Sequence, residues 1–143
     1  MIEIESRELA DIPVLHAYPV GQKDTPLPCA IFYHGFTSSS LVYSYFAVAL
    51  AQAGLRVIMP DAPDHGSRFS GDAARRLNQF WQILLQSMQE FTTLRAAIAE
   101  ENWLRDDRLA VGGASMGAMT ALGITARHPT VKCTASMMGS GYF

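Results

Sequence analysis

A five-residue sequence, Gly113-Ala114-Ser115-Met116-Gly117, separates a short apolar run from a longer run with helical spacing. A serine at the tip of a sharp strand-to-helix turn has a strained backbone that holds its hydroxyl clear of the sheet, and its flanking residues must be small. Amides at the start of the following helix stabilise an anion that forms beside such a serine. The pattern predicts that Ser115 is a nucleophile between two structural glycines, Gly113 and Gly117. A glycine-rich turn without chemistry is the alternative.

The distribution of acidic residues excludes a second interpretation of the glycines. A dinucleotide-binding loop would need glycine in place of Ala114 and an acidic residue about 20 positions further on. All 13 acidic residues lie at or before Asp107, so residues 108–143 contain no carboxylate side chain. The glycines therefore do not form a dinucleotide-binding loop.

The rest of the chain alternates short β-branched runs with longer amphipathic runs. Helices are predicted from Ser38–Ser40 to about Ala53, from Asp72 onward, and after Ser115 to about Arg127, and Gly54 occupies a C-terminal cap. Strands are predicted at residues 2–5, 12–20, 29–33, 55–60, 108–111 and 131–138. This order predicts an α/β fold with a mostly parallel sheet, helices on both faces and antiparallel pairing only at the N-terminal edge.

Composition narrows the functional classes. The chain has 143 residues, 49% of them hydrophobic, and its net charge of -2 does not suit a nucleic-acid-binding protein. Cys29 and Cys133 are too few and too distant for a disulfide framework or a cysteine metal site. The longest stretch without charged side chains, residues 25–55, is interrupted by prolines and glycines, so no membrane span is expected. The N-terminus lacks the basic and apolar segments of a secretory signal, and a cytoplasmic protein is predicted.

Two further motifs precede the pentapeptide, and each directly follows a predicted strand. His34-Gly35-Phe36-Thr37 follows the predicted strand 29–33, and Asp61-Ala62-Pro63-Asp64-His65-Gly66-Ser67 follows the predicted strand 55–60. Together, over residues 30–126, the three motifs resemble those of the α/β-hydrolase superfamily. The resemblance is greatest to small bacterial carboxylesterases, near the dienelactone-hydrolase and prolyl-oligopeptidase-like branches, and it extends through the whole chain.

The resemblance implies roles for particular residues. Ser115 would attack a small carboxylic ester to form an acyl-enzyme, while the backbone amides of Phe36 and Met116 would hold the oxyanion. Neither a cofactor nor a metal is expected; Asp61, Asp64 and His65 could be metal ligands, but a structural loop is preferred. The residues to which the resemblance gives structural roles are His34, Gly35, Asp61, His65 and Gly66, with Gly113 and Gly117.

Two histidines lie outside these motifs. His16 falls on an edge-strand pattern and is predicted to be a surface residue. His128 comes at the end of the helix that follows the nucleophile, where a cation complements the helix dipole, and a structural role is predicted for it.

The residues that would complete a catalytic triad are missing after Ser115. In α/β-hydrolases the serine precedes an Asp or Glu, which precedes the histidine, yet only His128 and no acid follow here. We therefore expect residues 1–143 to form an incomplete α/β-hydrolase domain, truncated after about the sixth strand and without the triad acid and base. Such a chain is predicted to be inactive or nearly so.

Three alternatives remain open from the sequence. The chain could be a non-catalytic remnant or interaction fragment that self-associates through an unpaired edge strand. A second chain could supply the missing strands with their Asp and His. A thioesterase, a peptidase or a dienelactone hydrolase of the same superfamily would share this part of the sequence.

Overall fold

One sheet of six strands organises the chain, in the order β1-β2-β4-β3-β5-β6. The structure is a computed structural model that describes residues 1–140. Its strands are β1 (Ile2–Leu9), β2 (Ile12–Pro19), β3 (Leu27–Tyr33), β4 (Arg56–Pro60), β5 (Leu104–Ala114) and β6 (Cys133–Met137). Its helices are α1 (Ser44–Gln52), α2 (Ala73–Leu77), α3 (Phe80–Glu100) and α4 (Met116–Arg127), with a short 3-10 turn at Gly66–Arg68.

Strand direction divides the sheet into two parts. β1 and β2 pair antiparallel, and β2 also pairs antiparallel with β4. β4, β3, β5 and β6 are mutually parallel. The predicted α/β fold, with an antiparallel N-terminal edge beside a parallel sheet, is confirmed.

Both faces of the sheet are covered by helices. α3 and α4 pack on one face, where Ile31, Phe91, Val111 and Ile124 belong to the larger apolar core. α1 covers part of the other face, where Phe32, Ala47 and Val57 belong to a smaller core. The strands alternate their side chains between these two cores, which is the period expected of a sheet buried on both faces.

Two predicted helix boundaries were wrong. The helix predicted to begin at Ser38–Ser40 begins at Ser44, because the Ser40 amide donates instead to the Asp61 carboxylate at 3.0 Å. The single helix predicted from Asp72 is divided into α2 and α3. Asp72 caps α2 by accepting from the Arg75 amide at 3.0 Å, and Asn78 ends that helix after little more than one turn.

His16 is fully buried, so its predicted surface position was wrong. β2 is paired on both sides, with β1 and with β4, and the His16 side chain is 0% exposed. Its Nδ1 donates to a Glu5 carboxylate oxygen at 2.7 Å, and its Nε2 accepts from Arg56 at 2.8 Å. Burial lowers the pKa of His16 to about 4, although the Glu5 carboxylate favours the protonated ring.

Candidate active site

Ser115 stands at the junction of β5 and α4 in a strained backbone conformation. Its φ of 56° and ψ of −116° lie outside the regions that L-residues ordinarily adopt. Ser115 is exposed, whereas its neighbours Ala114 and Met116 are buried. A serine before a helix usually caps it with its hydroxyl, but the Ser115 side chain makes no capping hydrogen bond. The hydroxyl is therefore held at the surface and is accessible to a substrate.

Close backbone approaches explain the glycines on either side of this serine. A Cβ on Gly117 would lie 2.0 Å from the Tyr33 carbonyl oxygen, and one on Gly113 would lie 2.2 Å from the Gly117 carbonyl oxygen. No side chain fits at either position without moving backbone. The first turn of α4 consequently packs directly against the end of β3.

The turn after β3 brings Gly35 and Phe36 beside the nucleophile. A Cβ on Gly35 would lie 3.6 Å from the Ser115 Cβ, so the two residues face each other across a narrow gap. Among the described residues, the Phe36 amide donates none of the hydrogen bonds found. Met116 is the first residue of α4, and amides in that position have no intrahelical acceptor. The amides of Phe36 and Met116 therefore belong to residues adjacent to Gly35 and Ser115, and neither donates one of the hydrogen bonds found among the described residues.

His34 holds the turn together from within the protein. It is buried; its Nδ1 donates to the Gly35 carbonyl at 2.8 Å, and its Nε2 accepts from the Ala62 amide at 3.0 Å. Burial lowers the pKa of His34, in keeping with a neutral ring. Because both ring nitrogens are engaged, His34 joins the turn to the loop after β4 and has no free nitrogen for proton transfer.

His65 makes the same kind of connection from the opposite loop. Its Nε2 accepts from the Thr37 amide at 2.8 Å, and its Nδ1 donates to the Pro63 carbonyl at 2.9 Å. Burial also lowers the pKa of His65. Two buried, neutral histidines thus position the Phe36 amide.

Asp61 organises the loop that carries His65. Its carboxylate accepts hydrogen bonds from the amides of Ser40 and Ser67 and from the Ser67 hydroxyl at 3.0 Å. Gly66 has a φ of +54°, and a Cβ there would lie 2.4 Å from the Asp61 carboxylate. The Asp61 oxygens are therefore occupied by loop donors. Among residues 1–140, no group of three or more His, Cys, Asp or Glu side chains could hold a metal ion.

His128 lies at the opposite end of α4 from Ser115. A helix of 12 residues extends about 18 Å, too far for proton transfer to the serine hydroxyl. The His128 ring instead packs against Phe91, with ring centroids 4.8 Å apart. The structure does not bring this histidine into the site.

Two aromatic residues that sequence reasoning missed border the same gap. The Tyr43 hydroxyl lies 3.1 Å from the position that a Gly35 Cβ would occupy. Phe80, the first residue of α3, contacts the Phe36 ring edge-on at 5.1 Å. Neither lies in a motif, because both come from segments that only the fold brings to the end of β3.

The comparisons with known proteins agree with this geometry. A family model described as serine aminopeptidase, S33 (Hydrolase_4) matches residues 25–141. The chain belongs to this S33 family. Esterase YjfP from Escherichia coli strain K12 is 98% identical over 143 residues, which are 100% of this chain and 57% of that protein. This chain thus spans little more than half the length of that relative.

Solved structures show the same fold at low sequence identity. The dienelactone hydrolase-like promiscuous phosphotriesterase P91, from metagenomic libraries, has a TM-score of 0.74 at 14% identity and matches 97% of this chain and 59% of its own. A cold-adapted esterase from an Arctic intertidal metagenomic library has a TM-score of 0.68 at 22% identity, with 93% and 58% covered. The predicted resemblance to α/β-hydrolases is confirmed. In the part of the S33 chain that the structure describes, no helix is long and apolar enough to cross a membrane.

Proposed function

We propose that this chain carries the nucleophile and the oxyanion hole of a serine carboxylesterase that hydrolyses small carboxylic esters. The observation that carries the proposal is the exposed Ser115, held at a φ of 56° beside Gly35 and the Phe36 amide. Similarity to Esterase YjfP supports an ester as the substrate.

The geometry suits a reaction in two stages. In the first, the Ser115 oxygen attacks the ester carbonyl carbon, and the hydroxyl proton passes to a general base. The amides of Phe36 and Met116 donate to the oxyanion, and its collapse expels the alcohol after protonation of the leaving oxygen. In the second stage, water attacks the acyl-enzyme by the same route and releases the carboxylic acid.

The general base is proposed to come from outside this chain. His34 and His65 use both ring nitrogens in loop hydrogen bonds, and His128 stands at the far end of α4. No carboxylate follows Asp107 to orient a histidine. The chain by itself is therefore proposed to be inactive or nearly so, because an oxyanion hole and a serine without a base give only residual catalysis.

Hydrolysis of p-nitrophenyl butyrate tests both parts of the proposal. The assay compares the chain alone with one polypeptide that joins it to the part of Esterase YjfP that it does not cover. We expect the joined polypeptide to turn over, with a loss of roughly 10⁴-fold or more in Ser115→Ala. We expect the chain alone to match its own Ser115→Ala variant.

Two results would contradict the proposal. A joined polypeptide whose turnover is unaffected by Ser115→Ala would remove the serine from the mechanism. Turnover by the chain alone near that of the joined polypeptide would show that residues 1–143 contain a working base. A butyryl thioester assayed in parallel distinguishes an esterase from a thioesterase of the same fold.

A further inference from the structure

Tyr43 is held rigidly at the start of α1. Its backbone amide donates to the Ser40 carbonyl at 3.1 Å, in the turn that precedes the helix. Its ring stacks against Phe46 with centroids 6.0 Å apart and planes 14° apart, and against Tyr45 at 6.1 Å and 20°. The turn hydrogen bond and the two ring contacts restrict the position of the Tyr43 ring.

The Tyr43 hydroxyl lies beside Gly35, next to the space that Ser115 also borders. The position that a Gly35 Cβ would occupy is 3.1 Å from the Tyr43 oxygen and 3.6 Å from the Ser115 Cβ. Tyr43 and Ser115 therefore both border the space that Gly35 leaves empty. Any larger residue at position 35 would fill the gap between them.

The hydroxyl is also without a partner in the described part of the chain. Tyr43 is half-buried, and none of the hydrogen bonds found among the described residues uses its oxygen. A fixed donor that gains a partner only when charge develops on the substrate stabilises the transition state more than the ground state.

We propose that the Tyr43 hydroxyl donates a third hydrogen bond to the oxyanion that forms when Ser115 attacks an ester. This inference rests on the proposed function. Gly35 directly precedes Phe36, so the Tyr43 hydroxyl beside Gly35 lies near the residue whose amide is proposed to hold the oxyanion. A phenol hydroxyl forms a short, strong hydrogen bond to an anionic oxygen and a weaker one to a neutral carbonyl.

The test compares Tyr43→Phe with Tyr45→Phe in the joined polypeptide described above. Tyr45 is the matched control because its ring stacks on Tyr43 while its own side chain is 60% exposed. We expect Tyr43→Phe to lower kcat by roughly 10- to 100-fold with little change in KM, as removal of a transition-state donor should. Tyr45→Phe should leave kcat unchanged.

The affinity for a trifluoromethyl ketone distinguishes the proposed role of Tyr43 from a purely structural one, because a structural role would leave this affinity unchanged. Ser115 adds to this ketone to form an anionic adduct, so its affinity should fall in Tyr43→Phe by the same factor as kcat. The thermal midpoint should stay at the parent value, because the hydroxyl removed has no protein partner.

Each remaining outcome overturns a specific claim. An unchanged kcat and ketone affinity in Tyr43→Phe, or equal losses in both variants, would overturn the role of Tyr43 while Ser115-dependent turnover upholds the proposed function. Absence of Ser115-dependent turnover in the unsubstituted joined polypeptide would overturn the proposed function, and the role of Tyr43 with it.

Discussion

The two neighbours of β5 differ sharply in burial. β3, on one side, is buried along its length apart from a half-buried Pro28. β6, on the other side, is exposed except for a half-buried Thr134. β5 ends at Ala114, directly before Ser115, so Ser115 lies between a closed flank and an open flank of the same parallel sheet.

The closed flank carries Phe36, whose amide is one of the two proposed oxyanion donors. Beyond β3, His34 and His65 connect the turn that contains Phe36 to the loop after β4, each with one ring nitrogen donating and the other accepting a hydrogen bond. The Asp61 carboxylate, in the loop after β4, accepts a hydrogen bond from the Ser40 amide. Such satisfied, buried connections keep donors in place without reorganisation during the reaction. The turn that carries the proposed donor Phe36 is thus held by contacts within residues 1–140.

The open flank presents apolar surface instead. An apolar groove of about 330 Å³ runs between α1 and β6, and its lining includes Phe46, Leu50, Cys133 and Met137. A backbone hydrogen bond from the Ser115 amide to the Met137 carbonyl, at 2.8 Å, joins this flank to the turn that carries Ser115. The β3 side of Ser115 therefore offers hydrogen-bonded, buried loops, and the β6 side offers exposed apolar surface.

Adding a methyl group on each flank should produce the largest difference in the free energy of unfolding between the two flanks. A Cβ on Gly117 would lie 2.0 Å from the Tyr33 carbonyl on the closed flank, whereas one on Gly112 would lie 3.2 Å from the Ala135 carbonyl on the open flank. We expect Gly117→Ala to lower the free energy of unfolding by about 3 kcal/mol or more and Gly112→Ala by about 1 kcal/mol or less. Urea unfolding followed by circular dichroism measures both. Equal losses would show that the flanks are equally rigid.

Acidification should lower the free energy of unfolding through His16 on β2. Its pKa is lowered from 6.5 to about 4 by burial, so between these values the unfolded chain binds a proton that the folded chain excludes. The unfolded state then holds more protons, and stability is lost as pH falls from 6.5 toward 4. We expect a loss on the order of 2 kcal/mol across this window. Urea midpoints at pH 7 and pH 4.5 measure it.

The His16→Asn variant is the control for this pH dependence. Asparagine does not titrate, so the variant should show a smaller fall in urea midpoint between the two pH values, whatever its stability at pH 7. The pKa values of His34, His65, Glu5 and Asp64 are also lowered, and these groups contribute to the dependence that remains. An equally steep fall in the variant would remove His16 as the source.

A charge on the open edge should have the smallest effect on stability. Met137 is 40% exposed on β6, and Ile4 is 42% exposed on β1 at the opposite edge of the sheet. We expect Met137→Lys and Ile4→Lys each to change the free energy of unfolding by about 0.5 kcal/mol or less. Only Met137→Lys should reduce self-association of the chain, because β1 already carries charged residues that oppose strand pairing.

Sedimentation velocity over a range of protein concentrations tests this edge prediction. The unsubstituted chain should show concentration-dependent association, and Met137→Lys should sediment as a monomer. A chain that is monomeric at every concentration would contradict self-association through β6. Equal effects of the two substitutions would contradict the difference between the edges.

The elements whose pattern is local were predictable from the sequence. The junction at Ser115, the positive φ of Gly54 and the end of α4 near Arg127 follow from residue types within a few positions of each. The division between α2 and α3 was not predicted, since the apolar spacing continues through Asn78 and only the backbone turn there separates the two helices.

The sequence by itself determined the order of strands and helices and the strand-to-helix junction that holds Ser115, because periodicity and glycine placement act over short distances along the chain. Only the tertiary structure decided that His16 is buried, since its partner in the β2–β4 pair is Ile58. It also decided that Tyr43 and Ser115 both lie beside Gly35. Contacts between residues so distant in the chain depend on strand order and helix packing, which no short segment of the sequence specifies.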